Sequence, residues 1–298
     1  MTLPLPAAAL RLGGRQFPAG QLLVMAVINR TSDSFYPAAR QPGLDHALEA
    51  VARAVAEGAD IIDVGGVRAG LGAEVGAEEE LDRVIPLITR IRVEHPDVLI
   101  SVDTWRSQIA VAACPAGADL INDTWAGHDP DLPQVAARFG AGLVCSHTGG
   151  LPPRTLPHRA SYGEGPEDVV DEVIGALLGA ARRATEAGVP GESVLLDPTL
   201  DFGKNTWHGL ALLRRLDALA TLGHPVLMSV SRKDLIGETL GLGVADRLEG
   251  TLAATSVSAW LGAKVFRVHD VLATRRTLDM ISAIRGERAP VRPVRGLG

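Results

Sequence analysis

Short apolar runs alternate with helical patterns along almost the whole chain, and this alternation is the feature that most restricts the possible folds. The runs have the composition of buried strands, and each is followed by a segment long enough to hold a helix. They begin near Leu22, Ile61, Leu99, Leu120, Gly142, Val194, Val226 and Lys264. Eight successive βα units without a break in composition predict a (β/α)8 TIM barrel. A short hairpin is expected before it, within residues 10–20.

A doubly wound sheet is the main alternative, and it usually carries a G-x-G-x-x-G turn after its first strand. Here the first barrel strand ends at Asn29, in an Asn-Arg-Thr-Ser sequence that lacks glycine. The nearest glycine pattern, residues 70–76, follows the second strand and has its third glycine displaced. We therefore expect an N-terminal extension and hairpin over residues 1–21, a barrel over 22–285 and a C-terminal tail over 286–298.

Charge and composition argue against several classes of protein. A net charge of -6 and a pI near 5.8 do not suit nonspecific nucleic-acid binding, although a small anion could still meet a local basic pocket. The two cysteines, Cys114 and Cys145, form no C-x-x-C pair, so neither a disulfide framework nor a structural zinc site is indicated. No apolar run approaches the length of a membrane span, and the first residues do not resemble a signal peptide. A cytoplasmic protein without membrane contact is expected.

Polar residues follow every predicted strand, at the end of a barrel where substrates bind. In strand order they are Asn29, Asp63, Asp103, Asn122-Asp123, Ser146-His147, Asp197, Ser231-Arg-Lys233 and Arg267-Val-His269-Asp270. Helix capping explains any single one of them equally well, but it is a poor explanation for a polar residue at all eight strand ends.

Two subsets of these residues indicate a chemistry. Asp103, Asn122, Asp197 and Lys233 combine two carboxylates, an amide and an ammonium, which suit the edge of a flat heterocycle such as a purine or a pterin. The segment Arg267–Asp270 follows the last strand, where barrels often build a phosphate site, so its Arg and His predict an anionic group. An ion pair of Arg267 with Asp270 or another carboxylate is the alternative.

Several motifs together resemble dihydropteroate synthase, in order from about residue 22 to 285, and in particular the divergent second copy that some high-GC bacteria carry. They are Asn29-x-Thr-x-Asp-Ser-Phe35, Asp63-Val-Gly-Gly66, Ser101-Val-Asp-Thr104, Ile121-Asn-Asp123, Asp197-Pro198 with Phe202-Gly-Lys204, Ser231-Arg-Lys233, Arg247-Leu-Glu-Gly-Thr-Leu-Ala253 and Arg267-Val-His-Asp270. Jointly these motifs are highly specific, whereas the shorter ones would be weak alone.

The resemblance implies a transferase of folate biosynthesis that joins 6-hydroxymethyl-7,8-dihydropterin diphosphate to p-aminobenzoate and releases diphosphate. A barrel, a homodimer and Mg²⁺ are implied with it. Carried over by motif, the catalytic residues would be Lys233, Arg267 and His269, and Asn29 would be a magnesium ligand. The substrate-binding residues would be Asp63, Asp103, Asn122, Asp197, Phe202, Lys233, Arg267 and His269.

The departures from the family pattern fall in loops. After Asp63-Val-Gly-Gly66 the family has Glu-Ser-Thr-Arg-Pro-Gly, whereas this chain places Ala69 and Gly70 at the Thr and Arg positions. Arg68 is either a displaced substitute for the lost arginine or a solvated loop cation. Further departures are Arg30 and Ser32 in the first loop, Thr199 and Asp201 at two glycine positions of the sixth, and Asp234 after Ser231-Arg-Lys233.

These departures leave several hypotheses open. The chain is a synthase whose activity is weak or lost, a non-catalytic pterin-binding paralogue, or a synthase that accepts a different amine. A methyltetrahydrofolate-dependent methyltransferase is disfavoured, because its substrate carries no diphosphate for Arg267 and His269 to bind.

Overall fold

The computed structural model describes residues 5–30, 42–70, 72–155, 162–163, 165 and 167–295. Residues 31–41, which hold Ser32 and most of the first-loop motif, lie outside this part. The strands are β1 Leu10–Leu12, β2 Arg15–Phe17, β3 Leu23–Asn29, β4 Ile61–Gly65, β5 Leu99–Asp103, β6 Leu120–Asp123, β7 Gly142–Ser146, β8 Val194–Asp197, β9 Leu227–Met228 and β10 Val265–Val268. The helices are α1 Pro42–Ala56, α2 Ala77–Glu94, α3 Ser107–Ala116, α4 Leu132–Phe139, α5 Asp168–Glu186, α6 Thr206–Arg214, α7 Leu216–Ala220, α8 Asp234–Leu240, α9 Leu248–Trp260 and α10 Val271–Ile284.

Strands β3 to β10 form one parallel sheet with helices between them, in the order β8-β7-β6-β5-β4-β3-β10-β9. The two ends of the sheet approach each other, because Leu196 of β8 bridges Val226 in parallel just before β9. The Leu196 N–H also donates to the Pro225 carbonyl oxygen at 2.9 Å. The predicted (β/α)8 barrel is therefore confirmed.

The hairpin of β1 and β2 covers the amino end of this barrel. Its Leu10, Leu12 and Phe17 are buried in one cluster with early residues of the barrel strands, among them Ile61 and Leu99. Since apolar side chains fill this end, the opposite end, where the strands finish, is left for polar groups. The hairpin prediction is confirmed, whereas the domain boundaries at residues 21 and 285 stay predictions.

Strand positions follow the sequence pattern closely, with one marked difference. Strands β4 to β8 start at the predicted residues, but β9 contains only two residues. The next residue, Ser229, donates its hydroxyl to Asp197 at 3.2 Å, so the chain leaves the ladder there to line the site. Among the residues described, no helix is both long enough and apolar enough to cross a membrane.

Candidate functional site

A cavity of about 440 Å³ opens at the carboxyl end of the barrel. It is lined by Asn29, Val67, Arg68, Ala69, Gly70, Asp103, Thr124, Asp197, Thr199, Phe202, Ser229, Lys233 and Arg267. Most of the predicted site residues therefore meet in one place. Asp63 and Asn122 are fully buried beneath it. The last predicted residue, His269, lines a neighbouring cleft between α1 and α10, and its Nδ1 lies 3.0 Å from the Ser231 hydroxyl.

The floor of the cavity is a hydrogen-bonded network centred on Arg267. The Arg267 guanidinium donates to Asp63 Oδ2 at 2.6 Å and to Asp103 Oδ2 at 2.7 Å. Asn122 Nδ2 donates to Asp63 at 3.2 Å, and the Thr124 hydroxyl donates to Asp103 at 3.0 Å. The alternative of an intrabarrel ion pair thus holds for Arg267, with these carboxylates rather than with Asp270. Asp270 instead pairs with Arg232, at 2.8 Å.

Burial shapes the protonation of this floor. It raises the pKa of Asp103 to about 7; Arg267 opposes that rise, whereas the Asp63 carboxylate adds to it. Burial lowers the pKa of Arg267, but Asp63 and Asp103 outweigh it, so the net shift is upward and the guanidinium stays charged. Asn122 Oδ1 is buried and has no hydrogen-bond partner within the described ranges. A buried acceptor of this kind normally requires a donor, which a ligand or water would supply.

Lys233 and Phe202 form the wall opposite this network. The Lys233 ammonium donates to the Leu200 carbonyl oxygen and lies 5.2 Å from the centre of the Phe202 ring. The edge of that ring meets Trp125 at a centroid distance of 5.4 Å. Burial lowers the pKa of Lys233, and the nearby carboxylates of Asp201 and Asp197 oppose that shift. An aromatic face beside a cation and carboxylates suits a flat polar ring.

Comparison with known proteins decides the family. A family profile described as a pterin binding enzyme matches residues 25–269. A Bacillus subtilis protein named dihydropteroate synthase is 38% identical over 264 residues, which cover 88% of each chain.

The chain belongs to the dihydropteroate synthase family of pterin binding enzymes.

A Mycobacterium leprae member of the family, named inactive dihydropteroate synthase 2, is 57% identical over 286 residues, which cover 96% of this chain and 98% of the relative. The Xanthomonas albilineans dihydropteroate synthase, solved with 4-aminobenzoic acid, superposes with a TM-score of 0.83 at 35% identity, over 94% of this chain and 98% of that one. The predicted resemblance, to a divergent second copy of the synthase, is confirmed.

The sixth loop, residues 197–204, retains a glycine-like backbone at both positions where the family has glycine. Thr199 and Asp201 have φ values of 51° and 68°. A residue with a Cβ in this left-handed region costs roughly 1–2 kcal/mol relative to the right-handed region. The Thr199 N–H donates to Asp197 Oδ1 at 2.7 Å, which fixes the carboxylate that the sequence predicts to hold the pterin. The backbone at Thr199 and Asp201 is therefore one that glycine adopts easily.

Lys204 is a residue of this loop to which sequence reasoning assigned no role. Its buried ammonium donates to three carbonyl oxygens, those of His147 at 2.7 Å, Phe202 at 2.9 Å and Thr199 at 3.3 Å. Burial lowers the pKa of Lys204 to about 7. A lysine inside the Phe202-Gly-Lys204 motif was the available signal, but only the structure shows that the side chain turns back to bind the loop.

The second loop forms the rim of the cavity with its residues 67–70. Arg154, from the loop after β7, donates to the carbonyl oxygens of Gly70 at 3.3 Å and Ala73 at 2.7 Å. Arg83 of α2 donates to the Gly66 carbonyl oxygen at 2.7 Å. The rim is therefore braced from two sides, although it lacks the family's Thr and Arg. Sequence reasoning missed Arg154, because no local pattern links residues so far apart in the chain.

Proposed function

We propose that this protein binds a pterin at the barrel mouth and performs the synthase condensation weakly or not at all. The observation that carries the proposal is the convergence of Asp103, Asp197, Lys233 and Arg267 on one cavity whose rim bears Ala69 and Gly70. The relatives support both halves of the proposal. Dihydropteroate synthases share the whole fold, and the 57% identical mycobacterial relatives are named inactive.

The floor supplies groups that match the pterin edge. The carboxylates of Asp103 and Asp197 would accept hydrogen bonds from ring N–H groups, and Lys233 would donate to a ring acceptor. The same carboxylates would stabilise positive charge on the pterin as its bond to the diphosphate breaks. Asp63 and Asn122 act from below, because Asp63 holds Arg267 and Asn122 holds Asp63.

Arg267 and His269 are proposed to bind the diphosphate. Arg267 already donates to two carboxylates, so it would have to share its guanidinium with the leaving group. His269 would act from the adjoining cleft, where Ser231 fixes its ring. Burial and the Arg267 charge lower the pKa of His269, so its ring is mainly neutral near pH 7 and would hold the anion by hydrogen bonding.

Magnesium is the proposed cofactor, and the donor set limits how it would bind. Asn29 places its amide oxygen beside Gly65, where a Cβ would come within 2.8 Å of that oxygen. Among the described residues, no group of three or more His, Cys, Asp or Glu side chains could hold a metal ion. One amide oxygen fits an ion that arrives on the diphosphate and keeps most of its waters. Bound there, magnesium would neutralise charge on the leaving group.

Weak turnover is expected because the rim lacks the family's Thr and Arg. Closing loops position the second substrate and exclude water, and their loss raises the barrier while ground-state binding survives. A synthase that accepts a different amine is the second candidate function, favoured by the presence of Arg68 at the altered rim.

A homodimer is proposed from the family. The exposed apolar side chains of Leu240, Val244 and Val257 are candidates for its surface.

The test combines binding and turnover in one preparation. Calorimetry with the pterin diphosphate should show binding in the wild type and a loss of roughly tenfold or more in Asp197→Asn, which leaves a ring N–H without its charged acceptor. With p-aminobenzoate and magnesium added, diphosphate release should stay far below that of the Bacillus subtilis synthase assayed beside it, and Lys233→Ala sets the baseline.

Two results would overturn the proposal. One is that the wild type binds no pterin, and the other is that it releases diphosphate as fast as the Bacillus subtilis synthase. A panel of other aromatic amines extends the same assay to the second candidate function.

A further inference from the structure

Asp201 holds a left-handed backbone conformation that residues other than glycine adopt only rarely. Its φ of 68° lies in the left-handed region, and its neighbour Thr199 shares this property. The Thr199 hydroxyl has partners close by, the Asp197 carbonyl oxygen at 2.9 Å and the His147 N–H at 3.2 Å. The partners of Asp201 are the first two backbone N–H groups of α8, beyond the seventh loop. Strain of this kind persists only where surrounding contacts fix the conformation.

Asp201 is fixed by contacts with the residues that follow Lys233, and Lys233 in turn contacts the residue before Asp201. Asp201 Oδ2 accepts from the Asp234 N–H at 2.6 Å, and Oδ1 accepts from the Leu235 N–H at 3.3 Å. In return the Lys233 ammonium donates to the carbonyl oxygen of Leu200, the residue before Asp201. The sixth and seventh loops therefore hold each other through adjacent residues. We call these three bonds the loop clasp.

The charges of the clasp also support each other. Burial lowers the pKa of Lys233, and Asp201 is the strongest charge that opposes this shift, ahead of Asp197; Arg267 adds to the lowering. Burial likewise raises the pKa of Asp201, and Lys233 is the strongest influence against it. The carboxylate of Asp234, which follows Lys233 in the sequence, instead pairs with Arg247 at 2.8 Å.

We propose that Asp201 is a positioning residue for Lys233. Its carboxylate fixes the backbone immediately after Lys233, and its charge favours the protonated ammonium beside the Phe202 face. That Lys233 then serves a bound pterin rests on the proposed function, but the clasp exists without a ligand. If Asp201 only capped the amino end of the short helix α8, its loss would speed exchange of the first α8 amides and leave pterin affinity unchanged.

Lys233 can be followed separately, because the chain contains only three lysines, Lys204, Lys233 and Lys264; buried Lys204 also responds to the charges of Lys233 and Asp201. Protein labelled at lysine side chains can be titrated by NMR, with Lys264 as an internal reference. Lys264 donates to the Pro18 carbonyl oxygen near the hairpin end of the barrel, far from the clasp. Hydrogen exchange of the amides of residues 234 and 235 reports the two backbone bonds separately.

Two variants of Asp201 separate its bonds from its charge. Asp201→Gly relieves the φ strain but removes acceptor and charge, so the 234 and 235 amides should exchange roughly tenfold faster. Lys233 should then lose its proton at lower pH. Asp201→Asn keeps one acceptor oxygen in a conformation that Asn tolerates, so exchange of the 234 amide should stay slow while Lys233 still titrates lower. The matched control, Asp234→Asn, should leave the Lys233 titration unchanged.

Pterin affinity completes the test. We expect the dissociation constant to rise roughly tenfold in Asp201→Gly and less in Asp201→Asn, with no change in Asp234→Asn. If the wild type binds no pterin, the proposed function fails while the titration and exchange data still decide the clasp. The clasp is refuted if the Lys233 titration and the exchange of both amides are the same in Asp201→Gly as in the wild type. It is also refuted if Asp234→Asn shifts Lys233 as much as Asp201→Asn does.

Discussion

The floor and the rim of the candidate site differ in how they are built. The floor consists of side chains that stand on barrel strands, namely Asp63, Asp103, Asn122 and Arg267. Strand pairing sets their spacing, and Asp103 lies opposite Asn122 in the ladder. The rim consists of loop backbone held by single arginines such as Arg154. A floor residue cannot change without leaving a buried partner unpaired, whereas a rim residue can. The contrast explains why the departures from the family fall in loops while the floor is kept.

The largest expected effect concerns the floor ion pairs. Arg267→Met removes the cation shared by Asp63 and Asp103, leaving two carboxylates without their charged partner at the bottom of the cavity. Breaking a buried pair in this way costs about 3–5 kcal/mol of the free energy of unfolding. Urea denaturation near pH 7 measures it.

Arg232→Met is the matched control for that experiment. It breaks a bidentate pair with Asp270, whose side chains are 23% and 26% exposed, and two exposed hydrogen bonds to the carbonyl oxygens of Val244 and Ala245, so roughly 1–2 kcal/mol should be lost. Equal losses in the two variants would break the comparison, because they would mean that the floor is no more interdependent than an ion pair outside the cavity.

A smaller effect is expected in the pH dependence of stability. Because burial raises the pKa of Asp103 from 3.8 to about 7, the folded state holds this proton over a range in which the unfolded state has lost it. The resulting stabilisation is full below pH 4 and disappears as the pH rises through about 7. Asp103→Asn removes this dependence. The wild type should therefore lose stability relative to the variant across that window, by up to about 4 kcal/mol.

Asp123, whose pKa burial raises to about 6, titrates in the same window but is common to both proteins, so it cancels in the difference. If the stability of the wild type relative to the variant stays constant or rises with pH, Arg267 keeps Asp103 ionised and the pair titrates at lower pH.

The sequence was sufficient for the barrel and for most of the floor. Apolar runs of strand length mark where β4 to β8 begin, and parallel strands must bring their carboxyl ends together, so Asp103, Asp197 and Lys233 were predicted to meet. The same reasoning grouped His269 with Arg267, but the structure places His269 in the next cleft. Alternate residues of a strand point to opposite faces, so residues two apart share a face only while the strand continues, and β10 ends at Val268.

The contacts of the rim and of the sixth loop could not be predicted, because they join distant segments through residues that belong to no recognisable motif. Arg154 reaches Gly70 and Ala73 across more than 80 residues, and Asp201 reaches the backbone beyond Lys233. The positive φ values of Thr199 and Asp201 were equally difficult to predict, because neither residue type indicates a left-handed conformation as glycine does. The family comparison located the departures, and only the structure showed what holds them.

Replacing residues 67–71 by the family's Glu-Ser-Thr-Arg-Pro tests the separation of floor and rim most directly. Pterin diphosphate affinity, measured by calorimetry, should stay within about twofold of the wild type, because the floor is untouched. Diphosphate release in the presence of p-aminobenzoate and magnesium should rise at least roughly tenfold, about 1.4 kcal/mol of the barrier. An unchanged release rate, or a loss of pterin affinity in the graft, would contradict the account.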